Sequence, residues 1–217
     1  MITATGADYQ LSGFGLPDDT TCPLSIADIA HHLAQINRFT GACSRPYSVA
    51  EHSLLCSEIA ERAGRSLYVQ RAALMHDAHE AFTQDLSSPA KHAVNTLAAL
   101  SGGTRAWTQF EDAHAKHLRR HFNLTSTFVG NRQVLKQIDL QALATERRDL
   151  TRWRADVHLP WDILGDGGPA NERIEPAEWL RLDTPERAAM TWADWRSAFL
   201  DRYNALRQAI KTARQAA

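Results

Sequence analysis

Residues 72–92 read AALMHDAHEAFTQDLSSPAKH. Three histidines, two aspartates and a glutamate stand there among residues that favour helix. A helix turns about 100° per residue, so side chains three or four apart share a face. On that geometry His76, His79 and Glu80 are neighbours and Asp77 lies within reach of Glu80. Adjacent His76 and Asp77 are splayed, and meet one metal only if it sits to one side of the helix. A short run of polar residues is also what a solvated helix face looks like. The stretch alone leaves both readings open.

The flanking segments continue the helical pattern. PLSIADIAHHLAQINRF places Ile26, Ile29, Ala30, Leu33 and Ile36 at helical spacing behind Ser25, a candidate N-cap. In SVAEHSLLCSEIAERAG, Ser48 and Glu51 form a capping-box pattern and Gly64 a stop. SLYVQRAALMHDAHEAF is expected to be one helix, with an apolar side of Val69, Ala72, Ala73, Met75 and Ala81. TQDLSSP breaks it. Further helices are expected in AKHAVNTLAAL, in TRAWTQFEDAHAKHLRRHF (anchored by Trp107, Phe110, Leu118 and Phe122) and in GNRQVLKQIDLQALATERRDL. HLPWDILGDGGPANERIEP reads as a long loop. A last helix, with Thr184 and Pro185 at its start, closes the chain. No strand or repeat stands out. The expectation is an all-α chain, one domain of six to eight helices spanning 1–217, with an irregular segment over 1–24, a core over about 26–150, and a loop and C-terminal helix over 151–217.

Composition narrows the function. The 217 residues are 44% hydrophobic and 23% charged, an ordinary globular balance, and the net charge of −1 offers no broad attraction for a nucleic acid polymer or an anionic membrane. An anionic ligand would need a local cluster of cations. Three cysteines, Cys22, Cys43 and Cys56, give no disulfide framework and no zinc knuckle. No signal peptide or membrane span is read, so a cytoplasmic protein is expected.

Two groups outside the quoted stretch join it. His52 lies on the preceding helix beside Leu54, Leu55 and Ile59, and Asp139 lies inside the apolar run of Leu135, Ile138, Leu140 and Leu143. Each alone fits a structural role. Together with His76 and Asp77 they make a plausible cage, because two imidazoles and two carboxylates suit a divalent transition metal. Such ligands favour Mn, Co, Zn or Fe over Mg.

The order His52, His76–Asp77, Asp139 resembles the H…HD…D pattern of HD-domain metal-dependent phosphohydrolases. INRFTGACSRPYSVAEHSLL and ALMHDAHEAFTQDLSSPAK are similar to the branch of bacterial deoxyribonucleotide 5′-nucleotidases and phage dATP triphosphohydrolases. The likeness covers about residues 26–150. It implies a helical fold with a metal between helices, Glu80 as the carboxylate that activates water, and Asp85 as a second acidic residue beside the substrate. It further implies Arg38, and with it Lys91, as phosphate contacts, a nucleotide substrate, and a homodimer or higher homo-oligomer. Phe39 departs from the tryptophan common in that branch, which bears on base or sugar preference. A phosphodiesterase for cyclic nucleotides or cyclic dinucleotides and a non-catalytic nucleotide sensor are the competing functions. His79 is expected to be structural, His92 and the histidines of AHAKHLRRH solvent-facing, and ERRDL at 146–150 a run of surface ion pairs.

Overall fold

The computed structural model describes residues 1–11 and 24–216. Half of the expected irregular N-terminal segment, residues 12–23 with Cys22, lies outside the described residues. Among those described there are ten α-helices and no sheet. The helices are α1 Ile26–Gln35, α2 Val49–Arg62, α3 Leu67–Leu74, α4 Glu80–Thr83, α5 Ser88–Leu100, α6 Ala106–His121, α7 Thr125–Gly130, α8 Arg132–Leu150, α9 Pro185–Ala189 and α10 Trp192–Gln215.

The expected caps form with one instructive exception. Ser25 accepts the Ala27 N–H at the start of α1, and Ser48 accepts the Glu51 N–H at the start of α2. Glu51 does not complete a capping box. Its fully buried carboxylate instead binds Arg45 at 2.7 Å and Arg187 at 2.8 Å. Charge-assisted bonds to two guanidiniums outweigh one backbone N–H. They tie the start of α2 to α9, 136 residues away in sequence.

α2 packs against α3 and α8, and α10 runs along α1, α2 and α3. One apolar core joins Ile29, Leu33, Leu74, Phe82, Phe199 and Tyr203. A second joins Leu55, Ile59, Val69, Leu135, Ile138 and Ala142. Tyr9 seals the first, its ring stacked 3.9 Å from that of Phe82. α5 and α6 pack together, and α5 buries none of its residues.

The helices are more numerous and shorter than the six to eight expected. SLYVQRAALMHDAHEAF is α3 and α4 with a tight turn over residues 75–79. There Ala78 N–H bonds Met75 O, and Glu80 N–H bonds Asp77 O, three residues back rather than four. Good helix formers are thus wound more tightly where His76 and Asp77 must converge. TSTFVG adds α7. The last expected helix is two: Thr184 caps α9, then Thr191 and Asp194 form a complete capping box at α10.

α6 also corrects an expectation. His114 and His117 are buried, not solvent-facing, whereas His92 is exposed. His114 Nδ1 pairs with the Tyr9 hydroxyl at 2.8 Å. Burial, reinforced by His117 and His79, pushes its imidazole down to about 4. Between the ordinary value of 6.5 and about 4, the unfolded chain takes up a proton that the folded chain refuses. This group therefore costs stability as pH falls through that window and nothing above it. His114→Asn removes the titration but keeps a polar partner for Tyr9. The melting-temperature gap between wild type and H114N is expected to shift in the variant's favour from neutral pH to pH 4; a gap constant across that range would contradict this.

Candidate metal centre

Three segments bring His52, His76, Asp77 and Asp139 together. His52 projects from the middle of α2, His76 and Asp77 from the turn before α4, and Asp139 from α8. His52 Nε2 lies 3.2 Å from His76 Nε2, 3.5 Å from Asp77 Oδ2 and 3.3 Å from Asp139 Oδ1. His76 Nε2 lies 3.1 Å from Asp77 Oδ2 and 3.6 Å from Asp139 Oδ1. Ligands held at bonds of about 2.0–2.2 Å around one ion stand roughly 3.0–3.5 Å apart. The spacing fits a single cation.

The hydrogen bonds of the rings reinforce this. His52 Nδ1 bonds the Glu146 carboxylate, and His76 Nδ1 bonds the Ala73 carbonyl at 2.8 Å. Both partners accept, so each ring donates from Nδ1 and turns an Nε2 lone pair inward. With both Nε2 atoms unprotonated, two lone pairs and two carboxylate oxygens face one another, an arrangement that a proton or a cation between them would satisfy. Burial lowers the proton affinity of His76, yet Asp77 and Asp139 outweigh it and hold its pKa well above the ordinary histidine value. Burial likewise opposes ionisation of Asp77, but His76 and His52 keep it well below the usual carboxylate range.

Glu146 is the residue that the sequence reading missed. It is fully buried, and it accepts bonds from His52, from the Tyr47 hydroxyl at 2.9 Å and from Arg38 at 3.1 Å. ERRDL is not a surface run. Arg147 bonds Asp166, Arg148 bonds the Leu180 carbonyl at 2.6 Å, and Asp149 accepts the Leu182 N–H at 2.8 Å. One signal could have placed Glu146: it follows Asp139 by seven residues, two helical turns on the same face.

Arg38 stands at the rim. Its backbone N–H bonds Tyr47 O, and its guanidinium lies 3.7 Å from Asp77 and 3.9 Å from Asp85. Burial works against its charge, but Glu146, Asp85, Asp77 and Glu80 secure it. Next to it, Phe39 and Thr40 take the left-handed backbone conformation that side-chain-bearing residues rarely adopt. The Phe39 ring lies 6.3 Å from that of Trp161 at an interplanar angle of 29°. Trp161 comes from the loop that the sequence left without a role.

Glu80 opens α4, and only 3% of it is exposed. Its Oε2 has no hydrogen-bond partner. Burial, then the charges of Asp77 and Asp85, push its pKa well above the ordinary glutamate value against Arg38 and Lys91. Asp85 is also raised by burial, less strongly, with Arg38 pulling the other way. Lys91, on α5, is paired with Glu111 of α6 at 2.6 Å. His79 Nε2 approaches the same Glu111 oxygen at 3.9 Å.

Residues 49–198 match the HD domain family. This chain belongs to it. HD domains bind divalent metals and are generally phosphohydrolases. The chain is 35% identical over 147 residues to the Escherichia coli K12 protein YfdR, covering 68% of this chain and 70% of YfdR. It is 42% identical over 91 residues to a Rhodobacter capsulatus protein, covering 39% of this chain and 46% of that relative. Both relatives are named as uncharacterized proteins. The matched span takes in His52, His76, Asp77, Asp139 and Glu146, and it runs through most of the C-terminal third. Arg38 and Phe39 lie before it.

Glu146→Gln keeps the shape but weakens the acceptor that orients His52. It is expected to lower divalent-metal affinity about 10–100-fold, as loss of such an outer partner typically does. Competition against a metal chelator measures this; unchanged affinity would remove Glu146 from the centre.

Proposed function

We propose that this HD domain hydrolyses phosphate esters or anhydrides of 2′-deoxynucleotides, with a divalent ion held by His52, His76, Asp77 and Asp139. The products would be a nucleoside and phosphate from a monophosphate, or a nucleoside and triphosphate from a dNTP. The observation that carries the reading is the convergence of those four residues beside a buried carboxylate with a free oxygen and a largely buried arginine at the rim. The sequence likeness to deoxynucleotide hydrolases supports the substrate class.

A bound divalent ion would neutralise a phosphate oxygen and acidify the attacking water. The protein's own groups supply the rest. Glu80 has an unpartnered Oε2 and a raised proton affinity, both suited to taking the proton of that water. Arg38 offers a planar fork to the phosphate, while Asp77, Asp85 and Glu146 hold that fork at the rim. Phe39 and Trp161 form an aromatic pair beside it, fit to cover a base or sugar. Asp85 borders the same space, and Lys91 adds positive charge near Glu80. In this reading all 217 residues serve one domain, which works as a homodimer or higher homo-oligomer.

Chromatography of products from the common dNMPs and dNTPs, with Mn²⁺ or Co²⁺ supplied, is expected to show released phosphate or triphosphate. Silence across that panel would reject the proposal, and tight binding without product would point to a sensor. Glu80→Gln is expected to lower kcat about 10²–10⁴-fold while leaving metal bound. Undiminished turnover in E80Q would take the base role from Glu80.

A further inference from the structure

Cys56 stands one turn after His52 on α2. Residues four apart on a helix share a face, and here the pair turns Cys56 Sγ to within 3.6 Å of His52 Nε2. That is the nitrogen facing the cage, not the one bonded to Glu146. One donor atom from each of His52, Cys56, His76 and Asp139 lies within 4.8 Å of every other. The thiol is grouped in space with three of the four cage residues, Asp77 standing outside that group, though nothing in the H…HD…D pattern contains it.

Its separation from His52 is informative. With bonds of about 2.3 Å to sulfur and 2.0–2.1 Å to nitrogen, and the angles of about 90–120° between neighbouring ligands of an ion with five or more ligands, the two atoms stand about 3.1–3.8 Å apart. Cys56 is only 1% exposed, so its sulfur is shielded from bulk water. Cys56 otherwise belongs to the apolar core that includes Leu55, Ile59 and Leu135. A buried thiol at 3.6 Å from the cage-facing nitrogen sits at the separation a ligand sulfur would have.

We propose that Cys56 is a further metal ligand of this centre, binding as a thiolate and biasing the site toward thiophilic divalent ions such as Zn²⁺, Co²⁺ and Fe²⁺ over Mg²⁺. The inference rests on the cage being a metal site. On binding, the S–H bond breaks, a sulfur–metal bond forms and the proton leaves to solvent, with no change of oxidation state. Soft thiolate adds little for a hard ion and much for a borderline one, which is the source of the bias.

Cobalt reads the sulfur directly. Titrating the full-length chain with Co²⁺ is expected to raise two spectral features: visible d–d bands, which report occupancy, and a near-ultraviolet thiolate-to-cobalt charge-transfer band, which reports sulfur. The charge-transfer band should persist in Cys22→Ser and Cys43→Ser. It should vanish in Cys56→Ser and in Cys56→Ala, while the d–d bands and the helical circular dichroism remain. In a metal competition, both Cys56 variants should lose Zn²⁺ affinity relative to Mg²⁺. Wild type that shows d–d bands without the charge-transfer band overturns the ligand role of Cys56 and leaves the cage standing. So does a charge-transfer band that survives in both Cys56 variants. Wild type that binds no Co²⁺ overturns the cage reading itself, and the thiolate with it.

Discussion

Four electron-pair donors that all point at one another cannot stay uncompensated in a folded protein. The inward orientation is fixed from behind: His52 spends its Nδ1 proton on Glu146 and His76 spends its own on the Ala73 carbonyl. What remains are two Nε2 atoms, each 3.1–3.6 Å from the other and from an oxygen of Asp77 and of Asp139. Repulsion among them is relieved only by positive charge, and the arrangement holds because the helices carrying it are locked by two apolar cores. α2 is central in this respect. It supplies His52, and its first turn is anchored through buried Glu51 to Arg45 and Arg187.

The last turns of α8 connect the centre to the rest of the chain. Glu146 looks inward to His52, Tyr47 and Arg38, while Arg147, Arg148 and Asp149 look outward and fasten the segment between α8 and α9. That segment delivers Trp161 to Phe39. It turns at Gly165, where φ is +74° and an added Cβ would lie 2.7 Å from the Glu172 carbonyl oxygen, so only glycine fits. One face of α8 thus sets the metal-facing histidine, and the neighbouring faces set the wall beside it.

The helical class, the N-caps at Ser25 and Ser48, and the grouping of His52, His76, Asp77 and Asp139 were legible because each rests on local chemistry or on spacing. The turn at residues 75–79 was not. Every residue near it tolerates helix, and only the tertiary demand that adjacent His76 and Asp77 face one point tightens the winding. ERRDL misled because charge usually marks surface, yet charges that find partners can be buried. The histidines of α6 misled for the same reason, although Phe110, His114, His117 and Leu118 share a helical stripe that foretold burial. Trp161 and Phe39 are 122 positions apart in sequence, and no local signal pairs them.

A second polar cluster clarifies why the cage differs. His79, Glu80 and Glu111 also bring donor atoms within 4.8 Å of one another. That cluster, however, contains its own cation, since Lys91 reaches Glu111 at 2.6 Å. The amine answers the charge of Glu111 and depresses its pKa alongside His79, against the opposing effect of burial. Glu80 receives no such direct partner at Oε2 and stays a strong proton acceptor between the two clusters. Lys91 therefore has a consequence whether or not it touches phosphate. It pairs with Glu111, while Glu80 is a carboxyl with a free oxygen next to Asp77. The division is chemical: one cluster is closed by an internal ammonium, the other brings together donors that could hold an ion, and the carboxyl with a free oxygen lies where they adjoin.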